Sequence, residues 1–123
     1  MLGLEFSSGK LEIYELVDVR TAAEIAAGSK PKQKLAYVGW TYFGDRTASF
    51  TRIYEALGAD ERFDRLVRIP FDVDIRVGQY VAIGGEQYRV NIVNAVVVKS
   101  NYRAQELTLV RLEDRYDLDT VQN

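Results

Sequence analysis

The sequence predicts a mostly β protein, a small antiparallel β-barrel or sandwich with one short helix and two long loops. Valine, isoleucine, tyrosine and phenylalanine are dense, and several runs alternate between apolar and polar residues. Turn signals follow one another closely in the second half of the chain. With 123 residues, these six or seven predicted strands form one domain, residues 1–123, with one core.

The first predicted strand covers residues 10–21. Its apolar residues at period two are Leu11, Ile13, Val17 and Val19. Tyr14 and Leu16 fall on the opposite, wetter side, and Glu15 falls on the drier one. The pattern therefore predicts a half-buried strand, with only these three residues against the alternation.

Residues 22–34 form the first predicted loop. An alanine-rich stretch there favours at most one helical turn, which stops at Gly28. Three lysines follow, Lys30, Lys32 and Lys34. Such a run is usually only solvated, but a ring of subunits would repeat its charge around an axis.

Residues 34–43 return to strand character, with aromatic residues on both faces, including Trp40. Such a strand is covered on both sides or lies at an interface. The second predicted loop, residues 44–61, contains Arg46 and Arg52. Within it, apolar spacing at i, i+3, i+4 and i+7 predicts a short helix over residues 49–57.

The second half predicts a strand that ends near Pro70 and a connecting segment over residues 72–78. Gly84 and Gly85 lie between two β-branched runs and predict a two-residue hairpin. A further strand pair covers residues 95–99 and 104–113. Residues 114–123 carry few apolar side chains and are predicted to be a flexible tail.

The composition excludes several kinds of chemistry. Without histidine or cysteine, the common zinc sites, cysteine nucleophiles, Ser-His-Asp triads and disulfides cannot form. Asp72 and Asp74 could pair as an acid and a base or hold a cation, but no third ligand lies at a recognisable spacing. We predict no enzyme activity, no cofactor and no metal.

Charge and hydropathy limit the classes of partner that we expect for this chain. The net charge is −2, and no segment has a large basic excess, which disfavours an electrostatic nucleic-acid binder. No apolar run approaches the roughly 20 residues that span a bilayer. The N-terminus lacks the features of a secretory signal, so neither membrane contact nor export is expected.

Part of the chain resembles a known family. Residues 77–90 and 103–110, a strand, a Gly-Gly turn, a Tyr-Arg-Val strand and a leucine-rich last strand, resemble the head-tail joining (stopper or head-closure) proteins of long-tailed bacteriophages and prophages. The resemblance covers about residues 62–116. It implies a ring in the virion neck, made in the bacterial cytoplasm, that joins the DNA-filled head to the tail and retains the genome.

The resemblance implies contacts with portal or adaptor proteins and with tail proteins, and it allows non-specific contact with packaged DNA. The candidate residues for contacts with partners or the ring lumen are Lys30, Lys32, Lys34, Trp40, Arg46 and Arg52. Residues 22–34 and 49–57 depart from the family pattern and leave open an adaptor, tail-completion or minor capsid role. A small β-barrel that binds nucleic acid or another ligand is the alternative from a different class.

Overall fold

The computed structural model describes residues 6–46, 64–98 and 102–118. Six strands and one short helix occur in these ranges. They are β1 (Gly9–Asp18), α1 (Ala22–Ala26), β2 (Gln33–Asp45), β3 (Arg65–Pro70), β4 (Tyr80–Ile83), β5 (Glu86–Val98) and β6 (Tyr102–Arg111). The predicted mostly β fold with a short helix is confirmed.

The six strands close into a ring in the order β1-β2-β3-β6-β5-β4, and every neighbouring pair is antiparallel. Some pairings are long and others are short. β5 and β6 pair from Tyr88 to Val98, whereas β2 and β3 pair only at Gly44 and Asp45. In this order β2 and β5 lie three positions apart, on opposite sides of the ring.

The inner face of the ring holds the main core. Alternate residues of the strands point inward, and Ile75 adds to them from the connection between β3 and β4. The buried members are Leu11, Ile13, Phe43, Val67, Ile69, Ile75, Val81, Ile83, Tyr88, Val90, Leu107 and Leu109. This cluster contains residues from every strand, so the interior is filled only when the ring is closed.

A second apolar cluster lies on the outer side of β1, β2 and β4. It contains Tyr14, Leu35 and Tyr80, with Leu16 packed against them. Burial is the main reason that the pKa values of Tyr14 and Tyr80 are raised. The two residues that broke the alternation of β1 are therefore covered on the outer face.

The cover is the segment that follows β6. Leu112 and Tyr116 pack against the outer cluster, and the rings of Tyr116 and Tyr80 meet edge to face at 5.6 Å. The buried carboxamide of Gln87 donates to the Tyr116 carbonyl at 2.9 Å and accepts from the Tyr116 N–H at 2.8 Å. The flexible tail over residues 114–123 stays a prediction, and residues 119–123 lie outside the described ranges.

The boundaries of two predicted loops change. β2 begins at Gln33 and ends at Asp45, so Lys34, Gly44 and Asp45 belong to a strand. β5 is one continuous strand rather than two. The helix predicted over residues 49–57 lies outside the described residues.

The Gly-Gly hairpin is confirmed between β4 and β5. Gly84 and Gly85 have φ angles of 58° and 86°, which L side chains rarely adopt. The turn therefore favours glycine at both positions.

We predict that Gln87→Ala lowers the free energy of unfolding by about 1 to 3 kcal/mol, because it leaves the partly buried backbone of Tyr116 without both partners. Urea unfolding followed by circular dichroism measures the change. Gln33→Ala, at an exposed position, is the control. Equal stability of the two variants would contradict the assigned role of residues 112–118.

Candidate functional site

The connection between β1 and β2, residues 19–32, forms a polar arm that carries α1 at its tip. The Val19 N–H donates to the Lys32 carbonyl at 2.8 Å, and Arg20 Nη1 donates to the Ser29 carbonyl at 2.7 Å. Asp18 pairs with the same arginine at 2.7 Å. The two limbs of the arm are thus held to each other by hydrogen bonds.

A capping box starts the helix of the arm. The Glu24 N–H donates to the Thr21 hydroxyl at 3.1 Å, and the Thr21 N–H donates to the Glu24 carboxylate at 3.2 Å. Glu24 also forms an ion pair with Lys32. Gly28, with a φ of 78°, ends the helix. Local polar contacts alone are therefore enough to define the shape of the arm.

The tip of the arm is apolar, but its side chains are not buried. No residue of α1 is buried, and 55 % of Ile25 is exposed. Its neighbours Ala22, Ala23, Ala26 and Ala27 are exposed as well. An ordered polar stem thus presents a small apolar surface to its surroundings.

The structure separates the three predicted lysines. Lys30 is exposed on the arm, and Lys32 is exposed but engaged with Glu24. Lys34 lies in β2, opposite Val17. The arm therefore carries two of the three lysines.

The outer face of β2 carries a second exposed surface, the aromatic surface, made of Tyr37, Val38, Trp40 and Tyr42. Exposure reaches 46 % for Trp40 and 58 % for Tyr42, whose rings meet edge to face at 5.0 Å. Lys10 Nζ lies 4.7 Å from the centre of the Trp40 ring. An open depression of about 340 Å³ adjoins Tyr42 and is lined by Phe6, Ser7 and Gly9.

Arg46 does not share either surface. Its guanidinium is partly buried near Arg68 and Glu106, and burial lowers the pKa of Arg46. Arg68 in turn donates to Glu106 at 2.9 Å across β3 and β6. Arg52 lies outside the described residues.

The carboxylate pair considered from the sequence lies on open surface. Asp72 and Asp74 are both exposed, and Asp74 lies 3.7 Å from Arg76. Within the described ranges, no group of three residues is arranged to hold a metal ion.

Two features were missed in the sequence, and one of them had a readable signal. The Thr21-x-x-Glu24 spacing is that of a capping box and could have indicated the helix start. The contacts of Arg65 had no such signal. It pairs with Asp45 at 2.9 Å and lies over the rings of Phe43 and Tyr88, which only the ring topology brings together.

Comparison with protein-family models and with curated proteins finds no match to this chain. Among the described residues, no helix is long and apolar enough to cross a membrane.

We predict that the ion pairs of the arm weaken in acid. Hydrogen bonds from Arg20 lower the pKa of Asp18 below its usual 3.8, and a hydrogen bond from Lys32 lowers the pKa of Glu24 below its usual 4.5. An acid with a lowered pKa stabilises the folded form above its unfolded pKa and loses that effect as the pH falls through the lowered value. The two ion pairs should therefore stay formed at neutral pH and weaken only below about pH 4.

Carboxyl chemical shifts in an NMR titration measure both pKa values. In Arg20→Gln, the pKa of Asp18 should rise towards its usual value while that of Glu24 stays low. An unchanged pKa of Asp18 in this variant would contradict the assigned pairing.

Proposed function

We propose that this chain is a structural subunit of a phage or prophage neck, a ring subunit that joins the DNA-filled head to the tail and helps to retain the genome. The observation that carries the proposal is the arm, whose ordered stem presents an exposed apolar tip. The sequence resemblance to head-tail joining proteins supplies the class of assembly.

The arm suits contact with another protein. Its shape is fixed by hydrogen bonds between its own residues, such as that of Val19 with Lys32, so docking requires little further ordering. Its tip offers Ile25 and alanines, which gain free energy when a partner covers them. An ordered arm with an unsatisfied apolar end is therefore typical of a docking element.

The proposed partners are a portal or adaptor protein on one side and tail proteins on the other. Ile25 is the central apolar contact of the arm, and Lys30 is an exposed positive charge near it. In a ring, this charge would recur around the axis and could contact packaged DNA without sequence preference. An adaptor, tail-completion or minor capsid protein would use the arm in the same way.

A second candidate function is supported by the aromatic surface. Trp40 and Tyr42 are exposed next to Lys10, and aromatic rings beside a cation can stack the bases of single-stranded nucleic acid. The opposing observation is Glu12, which lies directly across from Trp40 in the β1–β2 register and would repel phosphate. We therefore rank this function second.

We predict that Ile25→Asp in the phage or prophage that carries the gene lowers the yield of infectious particles by about tenfold or more, because a charge enters the apolar contact. The measurements are plaque titre and the DNA content of the heads. Val77→Asp, at a position that is 62 % exposed and remote from the arm in sequence, is the control. If both variants assemble filled, infectious particles equally well, the proposed role of the arm is wrong.

Binding of the purified chain to labelled oligothymidine separates the two functions. Under the neck proposal we expect weak binding that Trp40→Ala does not change. Binding that weakens steeply with salt and is lost in Trp40→Ala would favour the nucleic-acid module instead.

A further inference from the structure

One edge of β2 is only partly paired. Its other edge joins β1 along the strand, but towards β3 it pairs only at Gly44 and Asp45. At the opposite end of the same edge, the Leu35 N–H donates to the Asp117 carbonyl at 2.9 Å. Between these points, at residues 36–43, no strand of the described chain pairs with this edge of β2. We call residues 36–43 the β2 edge.

The end of β3 explains this opening. If the pairing of Gly44 with Arg68 is continued by two residues, Tyr42 comes opposite Pro70, the last residue of β3. Proline has no N–H to donate to a neighbouring strand. β3 therefore cannot extend the pairing along β2.

β5 has a similar edge. On the side towards β4 it pairs from Glu86 to Arg89, and Gly78 and Gln79 then bond to the backbone of Val90. Beyond this point, at residues 91–98, no described strand pairs with this side of β5, whereas β6 pairs with its other side. We call residues 91–98 the β5 edge.

The composition of both edges is unusual for this chain. Charged residues make up 28 % of the sequence, yet neither eight-residue edge contains a charge or a proline. Proteins commonly protect an exposed edge with lysine, proline or a very short strand. Several side chains at these edges are instead both exposed and apolar, including Val38, Trp40 and Val97, which is 71 % exposed.

We propose that the β5 edge of one copy of this chain pairs with the β2 edge of a second copy. The two edges have the same length, about 26 Å at 3.3 Å per residue, and each offers unpaired backbone donors and acceptors. Neither edge brings a charged residue of its own into the contact. Aromatic residues on β2 and β-branched residues on β5 also form favourable cross-strand pairs.

The position of the two edges favours a head-to-tail arrangement. β2 and β5 lie on opposite sides of the strand ring, so a copy that receives a strand on one side can offer one on the other. A two-fold contact between two β2 edges would leave both β5 edges open. A head-to-tail contact pairs both kinds of edge and closes into a ring when the rotation allows it. The ring in a phage neck rests on the proposed function, but the strand pairing itself does not.

Cysteine cross-linking tests the pairing, because the natural sequence contains no cysteine. Val38→Cys and Val97→Cys are purified separately, mixed and treated with a short bismaleimide. We expect a cross-linked dimer in this mixture and little in either variant alone. Val38→Cys mixed with Val77→Cys is the control. Efficient linking of Val38→Cys to itself, or equal yields in the mixture and the control, would overturn the proposal.

A matched pair of lysine substitutions tests the energetics. Val97→Lys lies on the β5 edge, whereas Val77→Lys lies outside both edges at similar exposure. We expect the wild type and Val77→Lys to form oligomers as the protein concentration rises. The association of Val97→Lys should be weaker by about tenfold or more. Light scattering measures the mass, and circular dichroism checks the fold. Association that is absent in the wild type, or equal in the two variants, would overturn the proposal.

Trp40 provides an independent signal because it is the only tryptophan. Its emission should shift to the blue as the β2 edge is covered, and Val97→Lys should abolish the shift. The two proposals can fail separately. If cross-linking fails but Ile25→Asp lowers the yield of infectious particles, only the proposed strand pairing is wrong. If cross-linking succeeds but Ile25→Asp has no effect on the yield, only the proposed neck role is wrong.

Discussion

The shared interior of the strand ring is the constraint on which the rest of the structure depends. Each strand must turn alternate side chains inward, and residues as distant in sequence as Leu11 and Leu109 meet there. Successive side chains of a strand point to opposite faces of the sheet. The residues between the inward-facing ones therefore face outward and are left to make other contacts. The outer cluster around Leu35 and the aromatic surface are formed by side chains that face away from this interior.

Two register shifts allow long strands to satisfy this constraint. One lies where Ile13 and Tyr14 meet Gly39 and Tyr37 on β2, and it leaves Val38 without a partner. The second lies between Val90 and Ile92 on β5. Each shift changes which residues of the strand face inward, and bulges of this kind are common at sheet edges. The first shift lies within the β2 edge, and the second lies at the start of the β5 edge.

The proposed functional surfaces are stabilised in different ways. The arm keeps its shape through local polar contacts, such as the capping box of Thr21 and Glu24, and so can project from the ring without a core of its own. The β2 and β5 edges are held by the ring itself and offer backbone groups in a fixed direction. Docking through the arm and pairing through the edges can therefore connect one subunit to different neighbours.

The sequence by itself determined the mostly β class and the Gly84–Gly85 turn, because backbone preference and side-chain periodicity are local properties. It also determined which residue types were present for chemistry. Only the tertiary structure decided that Tyr14 and Leu16 are covered, that Arg46 is partly buried, and that β2 and β5 lie on opposite sides. These facts depend on strand order and register, which join residues far apart in the chain and leave no periodic trace in either partner alone.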